Sequence, residues 1–189
     1  MSVHEKVMAP RNILNNRQAR QEMDGALLEA IYNQHYDSVY NYICFRINNH
    51  FDAEELAGDA FENAIRRYHT YRPDVAPIQA WLIGIAKNVV TDYFRSKKRK
   101  TFVPLDEAIV SLDLQPEEVI VFSETNKALM RAMSMLKDAE RQILSMKFAT
   151  ELKNHEIAQI MSMSDSNVGT IVCRAVKKLK KSMEKEERS

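Results

Sequence analysis

Glycine is scarce in this chain: 4 of 189 residues, about 2 % against an ordinary ~7 %. So few residues able to take left-handed backbone exclude a hairpin-rich barrel or sandwich and a glycine-rich phosphate loop. Cysteine is scarcer still, at 2 residues, Cys44 and Cys173. Two thiols so far apart form neither a disulfide framework nor a four-cysteine zinc site. Long apolar runs are missing too: the longest notable stretch, AWLIGIA at 80–86, falls well short of the ~20 residues that span a bilayer. The first residues mix His4, Glu5, Lys6 and Arg11 without an apolar h-region, so no signal peptide and no membrane insertion are expected. The expected location is cytoplasmic. Neither sign of charge dominates, with 27 Lys+Arg against 26 Asp+Glu. That balance excludes a uniformly basic nucleic-acid coat. What is present is enough apolar material for a core, 45 % hydrophobic against 28 % charged, and wholesale disorder is excluded.

The near-neutral total hides an uneven distribution. Residues 1–100 are mildly basic, and 127–189 are basic again. Between them, 101–126 carry Asp106, Glu107, Asp113, Glu117, Glu118 and Glu124 with no Lys or Arg. Pro104 and Pro116 sit in this stretch, where helical periodicity fades, so it reads as an acidic linker between two domains. The organisation expected is a flexible extension at 1–24, a first domain at 25–100, the linker at 101–126, a second domain at 127–184 and a short tail at 185–189.

Helical periodicity accounts for both domains. Leu28, Tyr32, Tyr36, Val39, Ile43 and Ile47 step by three or four and predict one face of a long helix. Asp52 with Glu55 three residues on predicts a capped start for a second helix, with Ala53, Leu56, Ala60, Ala64, Ile65 and Tyr68 inward. Pro77 suits the first turn of a third, whose stripe is Ile78, Trp81, Leu82, Ile85, Val89 and Tyr93. Past Pro116, helices are expected to about 136, over about 138–148, at 154–161 and at 165–181. No period-2 pattern persists, so the fold class is all-α: two small helical domains.

Short helix, three-residue turn (Ser162-Met163-Ser164), second helix is the helix-turn-helix pattern. Ile157, Ile160, Val168 and Val172 supply a shared core, Ala158 permits close approach, and Ser164 or Asp165 caps the second helix. Laid in a major groove, that helix would offer Ser166, Asn167 and Thr170 to base edges. Arg174, Lys177 and Lys178 would follow along the phosphates, which position without specifying. The alternative is a plain helical hairpin with a solvated lysine face.

A second surface joins aromatics to cations. Trp81, Tyr93 and Phe94 lie near Arg95, Lys97, Lys98 and Arg99, and Tyr68 and Tyr71 precede the 73–77 loop. Stacking on such rings gives about 1–3 kcal/mol per base of single-stranded nucleic acid. Trp81 also fits the core stripe, and the basic run also suits a helix C-terminus. Upstream, Asp52, Glu54, Glu55, Asp59 and Glu62 stand with no Lys or Arg between 46 and 66. That is more acid than a helix start needs, and it fits a docking face for a basic partner.

Three segments together resemble an extracytoplasmic-function (ECF) sigma factor of bacterial RNA polymerase: DAEELAGDAF at 52–61; AWLIGIAKN at 80–88 with DYFR at 92–95; and Leu136, Glu140-Arg141 and Ile143-Leu144 followed by Glu156-Ile157-Ala158 through Arg174-Ala175. The resemblance spans about 25–184. It implies that a sigma region 2 domain, using Asp52, Glu55, Leu56, Asp59, Phe61 and Glu62, binds the β′ clamp helices of the polymerase core. It implies that Tyr71, Arg72, Trp81, Lys87, Asn88, Tyr93, Arg95, Lys97, Lys98 and Arg99 recognise and melt the −10 element. It implies that a region 4 domain reads the −35 element through Ser164, Ser166, Asn167, Thr170, Arg174, Lys177 and Lys178, and touches the β flap. The acidic linker would run toward the RNA exit channel, and an anti-sigma factor is the expected regulator. Where the family often carries basic residues in the recognition helix, Gly169 and Ile171 stand here, which moves weight onto Asn167 and Thr170.

Other functions fit less of the chain. A helix-turn-helix repressor or activator with an N-terminal effector domain explains the C-terminal motif but neither the acidic helix nor the basic-aromatic segment. An enzyme is not expected: the five histidines are scattered, His35 reads as a satisfied core residue, Cys173 as a buried inert thiol, and no cofactor or metal is implied.

Overall fold

The computed structural model of the chain describes residues 25–100 and 124–186. The expected extension at 1–24, nearly all of the acidic linker and the last residues of the tail lie outside them. The described residues are helices and the turns between them: α1 Gly25–Ile47, α2 His50–Arg67, a 3-10 turn Tyr68–Thr70, α3 Ile78–Lys100, α4 Glu124–Ser134, α5 Asp138–Ala149, α6 Asn154–Met161 and α7 Asp165–Glu186.

Local chemistry sets the breaks. Asn48 takes left-handed backbone, φ 54°, a conformation asparagine tolerates better than most residues. Asn49 then caps α2, its Oδ1 accepting from the Asp52 amide at 3.1 Å. The cap therefore lies three residues before the expected one; Asp52 falls in the first turn, and its carboxylate is used elsewhere. At α5 and α6 a glutamate three residues into the helix reaches back to an unpaired amide: Glu140 accepts from Lys137 N at 3.2 Å and Glu156 from Lys153 N at 2.6 Å. Each removes one of the orphan donors of a helix start.

The buried side of α1 is wider than expected and rotated. Ile31, His35, Val39, Tyr42, Ile43, Cys44 and Arg46 are buried, whereas Tyr32 is exposed. The reason is that α1 packs on α2 and α3 along one side and on α5 along another. Tyr32 instead packs at the outer α1/α2 edge, its ring centroid 4.8 Å from that of Phe61 and 4.9 Å from that of Tyr36, both pairs tilted. Ile65, expected inward on α2, is exposed at the same edge. Cys44 is buried, but Cys173 is exposed, because the inward positions of α7 are Val168, Ala175 and Leu179.

Ala53, Ala57, Ala60 and Ala64 on α2 and Ala80, Ile83 and Ala86 on α3 are buried. The small side chains of the alanines let the first three helices approach closely. α4, α5 and α7 close around Ala132, Met133, Leu136, Leu144, Ala175 and Leu179, and Phe45 of α1 packs against this cluster. Ile143, Met146, Leu152, Ile157, Ala158 and Val168 are continuous with the core of α1–α3. The two helical halves thus meet along a shared apolar seam.

Ile83→Ala, at a fully buried position of α3, should cost about 2–5 kcal/mol. Urea denaturation should show a lower midpoint at unchanged slope. Met135→Ala, at a position 78 % exposed, should change stability by less than about 0.5 kcal/mol.

Candidate nucleic-acid interface

The helix-turn-helix is formed by α6, the turn at 162–164 and α7. Ser162 takes left-handed backbone, φ 53°, and ends α6, with the Met163 amide returning to the Ala158 carbonyl at 3.0 Å. Ser164 caps α7, its Oγ accepting from Asn167 N at 3.3 Å. Ile157, Ala158 and Val168 bury the inner side. Ser166, Asn167, Thr170, Arg174 and Lys177 are all exposed and share one side of α7 at spacings of three and four. Two local bonds pre-set this side: Thr170 Oγ1 donates to the Ser166 carbonyl at 3.0 Å, and Asn167 Nδ2 lies 3.9 Å from Met163 Sδ. Lys178 is engaged differently. Its Nζ donates to Glu140 at 2.6 Å, and that bond holds the Glu140 carboxyl below the usual carboxylate range. Gly169 faces Asn154, whose Nδ2 would stand 3.6 Å from an added Cβ, so its place is against α6.

At the far end of α3, Asp52 anchors the basic run. Its carboxylate accepts from the Tyr93 hydroxyl and from Lys97 Nζ, the latter at 3.3 Å. Lys97 also sits 4.5 Å above the Tyr93 ring, within cation–π range. Burial, and then the hydrogen bond to the Asp52 carboxylate, push the Tyr93 pKa up. Arg95 pairs with Asp92 at 3.3 Å, and Lys98 and Arg99 are exposed. At the other end, Tyr71 and Trp81 are half-buried with ring centroids 5.3 Å apart. The Arg72 guanidinium grips Asp74 through two bonds, 3.2 and 3.0 Å, which shapes the loop between them. Asn88 is exposed. Lys87 is half-buried, and its Nζ donates to the Ile160 carbonyl of α6 at 3.0 Å.

The acidic helix presents Glu54, Glu55, Asp59 and Glu62 outward, while Leu56 and Phe61 are buried and shape that face from beneath. Glu62 pairs with Arg66 at 2.9 Å. Among the described residues no group of His, Cys, Asp and Glu is arranged to hold a metal ion, and no helix is long and apolar enough to cross a membrane.

Comparison with known proteins matches these two halves separately. Residues 31–100 match the family model for sigma-70 region 2, and residues 126–179 match that for sigma-70 region 4. The chain is 31 % identical over 162 residues to the RNA polymerase sigma factor YlaC of Bacillus subtilis, covering 84 % of this chain and 92 % of that protein. The chain belongs to the ECF sigma factors. It is also 30 % identical over 151 residues to the ECF RNA polymerase sigma factor BldN of Streptomyces coelicolor, which covers 79 % of this chain and 57 % of BldN. The fold is shared with a sigma factor RpoE solved in complex with the anti-sigma factor NepR from Bartonella quintana: TM-score 0.64, 18 % identity, 82 % of this chain and 96 % of that one. CnrH, solved with the cytosolic domain of CnrY, gives a TM-score of 0.61 at 17 % identity over 85 % of this chain and 90 % of that one. This sigma factor is therefore a non-enzymatic factor of transcription initiation.

The seam between its halves escaped sequence reasoning. Arg46 is buried, with 4 % of its side chain exposed, and its Nη2 donates to Asp138 Oδ1 at 2.7 Å. Its guanidinium carbon lies 5.8 Å from the Phe94 ring centroid. The available signal was position: Arg46 continues the Val39, Tyr42, Ile43 stripe by one more turn, where a solvated arginine is not expected. His35 corrects another expectation. It is buried, but its Nε2 has no hydrogen-bond partner, and it borders a cavity of about 460 Å³ between Gln34, Ser38, Gln79 and Phe148 to Glu151.

Burial lowers the His35 pKa from 6.5. The unfolded chain therefore takes up this proton first as the pH falls. Stability should fall as the pH drops below about 6.5, until the folded protein also protonates. In His35→Gln, the urea midpoint measured from pH 7 to 5.5 should fall less than in the wild type. An equal fall would place the responsible proton elsewhere.

Proposed function

We propose that this sigma factor binds core RNA polymerase through α2 and carries the core to promoters that its two helical halves read separately. The observation that carries this reading is the presence of region 2 and region 4 segments, in that order, in one chain. Asp59, Glu55 and Glu62 would face the β′ clamp helices, where opposite charge steers encounter and fixes orientation. Leu56 and Phe61 would hold that face rather than touch the partner, and Asp52 would brace the basic end of α3.

Promoter melting needs compensation, since extruding a base costs a few kcal/mol. In this reading the 71–77 loop, with Tyr71, Arg72 and Trp81, and α3, with Asn88, Tyr93, Arg95, Lys97, Lys98 and Arg99, capture bases and backbone of the opened −10 strand. Lys87 joins them once it leaves the Ile160 carbonyl. The region 4 half reads the −35 element through Ser166, Asn167 and Thr170. Ser164 fixes the start of α7, and Arg174 and Lys177 track phosphates. Lys178 would first have to release Glu140. The remaining assignments are a domain at 25–100, the linker at 101–126, a second domain at 127–184 that meets the β flap, an anti-sigma regulator and action in the bacterial cytoplasm.

Two measurements test this division of labour. Asp59→Lys should weaken binding to purified core polymerase at least tenfold with unchanged circular dichroism; equal affinity would remove α2 from the interface. Lys177→Ala should weaken holoenzyme binding alike on promoters of different sequence and lower its log-affinity against log-salt slope by about one. An unchanged slope would place Lys177 in solvent.

A further inference from the structure

We infer that the groove between the start of α1 and the second half of α2 is the seat of this chain's own basic segment, residues 6–20, which covers it in the free sigma factor. The groove encloses about 400 Å³, and Leu28, Tyr32, Phe61 and Ile65 form its apolar walls. Tyr32 and Ile65 are 41 % and 42 % exposed. Large apolar side chains left open on two facing helices mark a contact surface in a soluble protein. Glu29 and Glu62 stand at its edge, both exposed. Glu55 and Asp59 continue the same sign along the outer side of α2. Arg66 pairs with Glu62, but both side chains are solvated, and such a pair exchanges partners at little cost.

The occupant follows from what the chain places beside the groove. Gly25, the first residue of α1, lies in the groove wall, so the residues before it enter from there. Residues 6–20 read KVMAPRNILNNRQAR. They carry Lys6, Arg11, Arg17 and Arg20 without a carboxylate, and Val7, Met8, Ile13 and Leu14 lie among them. That composition answers the groove twice. The cations meet the acidic edge, which orients the segment, and the aliphatic side chains take apolar wall out of water. Leu14 stands eleven residues before Gly25, a tether that reaches ~35 Å when extended. From Gly25 to Tyr32 the groove runs only about 10 Å along α1, at ~1.5 Å per residue. The segment can therefore double back over it. A tether of this kind holds the segment at a local concentration on the order of millimolar, so a contact too weak to join separate molecules is populated within one chain.

Phe61 and Glu62 belong to the face proposed above for the β′ clamp helices, so the cover competes with core polymerase. This consequence, unlike the docking itself, rests on that reading. With about three-quarters of free chains covered, removing the cover raises apparent core affinity about fourfold. The test replaces Leu14 of the full chain with photoreactive benzoylphenylalanine and maps its crosslinks by mass spectrometry. In the free chain they should fall within the same molecule, on 25–32 and 58–65, and core polymerase should suppress them. Ile65→Asp should lower their yield about threefold, as the covered fraction falls, with unchanged circular dichroism. Arg11→Glu with Arg17→Glu should also lower it, and keeps the test decisive should the change at 65 disturb α2. In the unlabelled chain, Ile13→Asp with Leu14→Asp should tighten core binding about fourfold. Crosslinks spread over α3 to α7, crosslinks joining two chains, or a yield unmoved by both sets of substitutions would overturn the docking. Core binding unmoved or weakened by Ile13→Asp with Leu14→Asp would overturn the competition. Groove crosslinks in a chain that never binds core would overturn the sigma reading and leave the docking standing.

Discussion

The structure depends on α1 being buried on two sides. A surface helix normally buries one stripe and solvates the rest. α1 gives one side to α2 and α3 and another to α5, so a single helix organises the region 2 core and joins it to region 4. Tyr42 and Ile43, both fully buried, lie where these two packings meet. The buried Arg46 follows from the same constraint. A position inward for both halves holds a cation that must find a carboxylate, and it finds Asp138 on the other half. Removing one partner of such a pair leaves an uncompensated buried charge, which is far costlier than the pair is stabilising.

The rest of the molecule divides its polar groups by use. Where the proposed DNA-reading surfaces lie, side chains are exposed and held by short-range bonds: Ser164 on the Asn167 amide, Thr170 on the Ser166 carbonyl, Arg72 on Asp74. These bonds cut the freedom lost on binding without burying the groups that would bind. Where the two halves meet, polar groups are buried and incompletely paired. The first arrangement suits recognition.

Much of this was legible in the sequence because it follows from periodicity and turn chemistry. Scarce glycine and three–four spacing in both halves pointed to an all-helical fold class, and Ser162-Met163-Ser164 marked the turn before α7. The buried Ile157 and Val168 and the exposed Ser166, Asn167 and Thr170 follow from the same spacing. What was not legible depends on contacts distant in sequence. The rotation of α1's buried side, the burial of Arg46 and the capture of Lys87 by Ile160 all arise from elements far along the chain, and hydrophobic period alone describes one neighbour, not two. Cys173 was misjudged for a related reason: apolar neighbours in sequence do not fix which side of α7 faces the core. The α2 cap was misplaced because Asn49 and Asp52 are both good caps, and only the left-handed turn at Asn48 decides between them.

The most direct measurement of the central claim is transcription in vitro with purified core polymerase and a fragment library of bacterial genomic DNA, with start sites mapped in the presence and absence of this protein. The account predicts a discrete set of new starts, each preceded at a constant spacing by two short shared elements, and their loss when the protein is omitted. Start sites identical with and without it, under conditions where it is bound to core, would contradict the account.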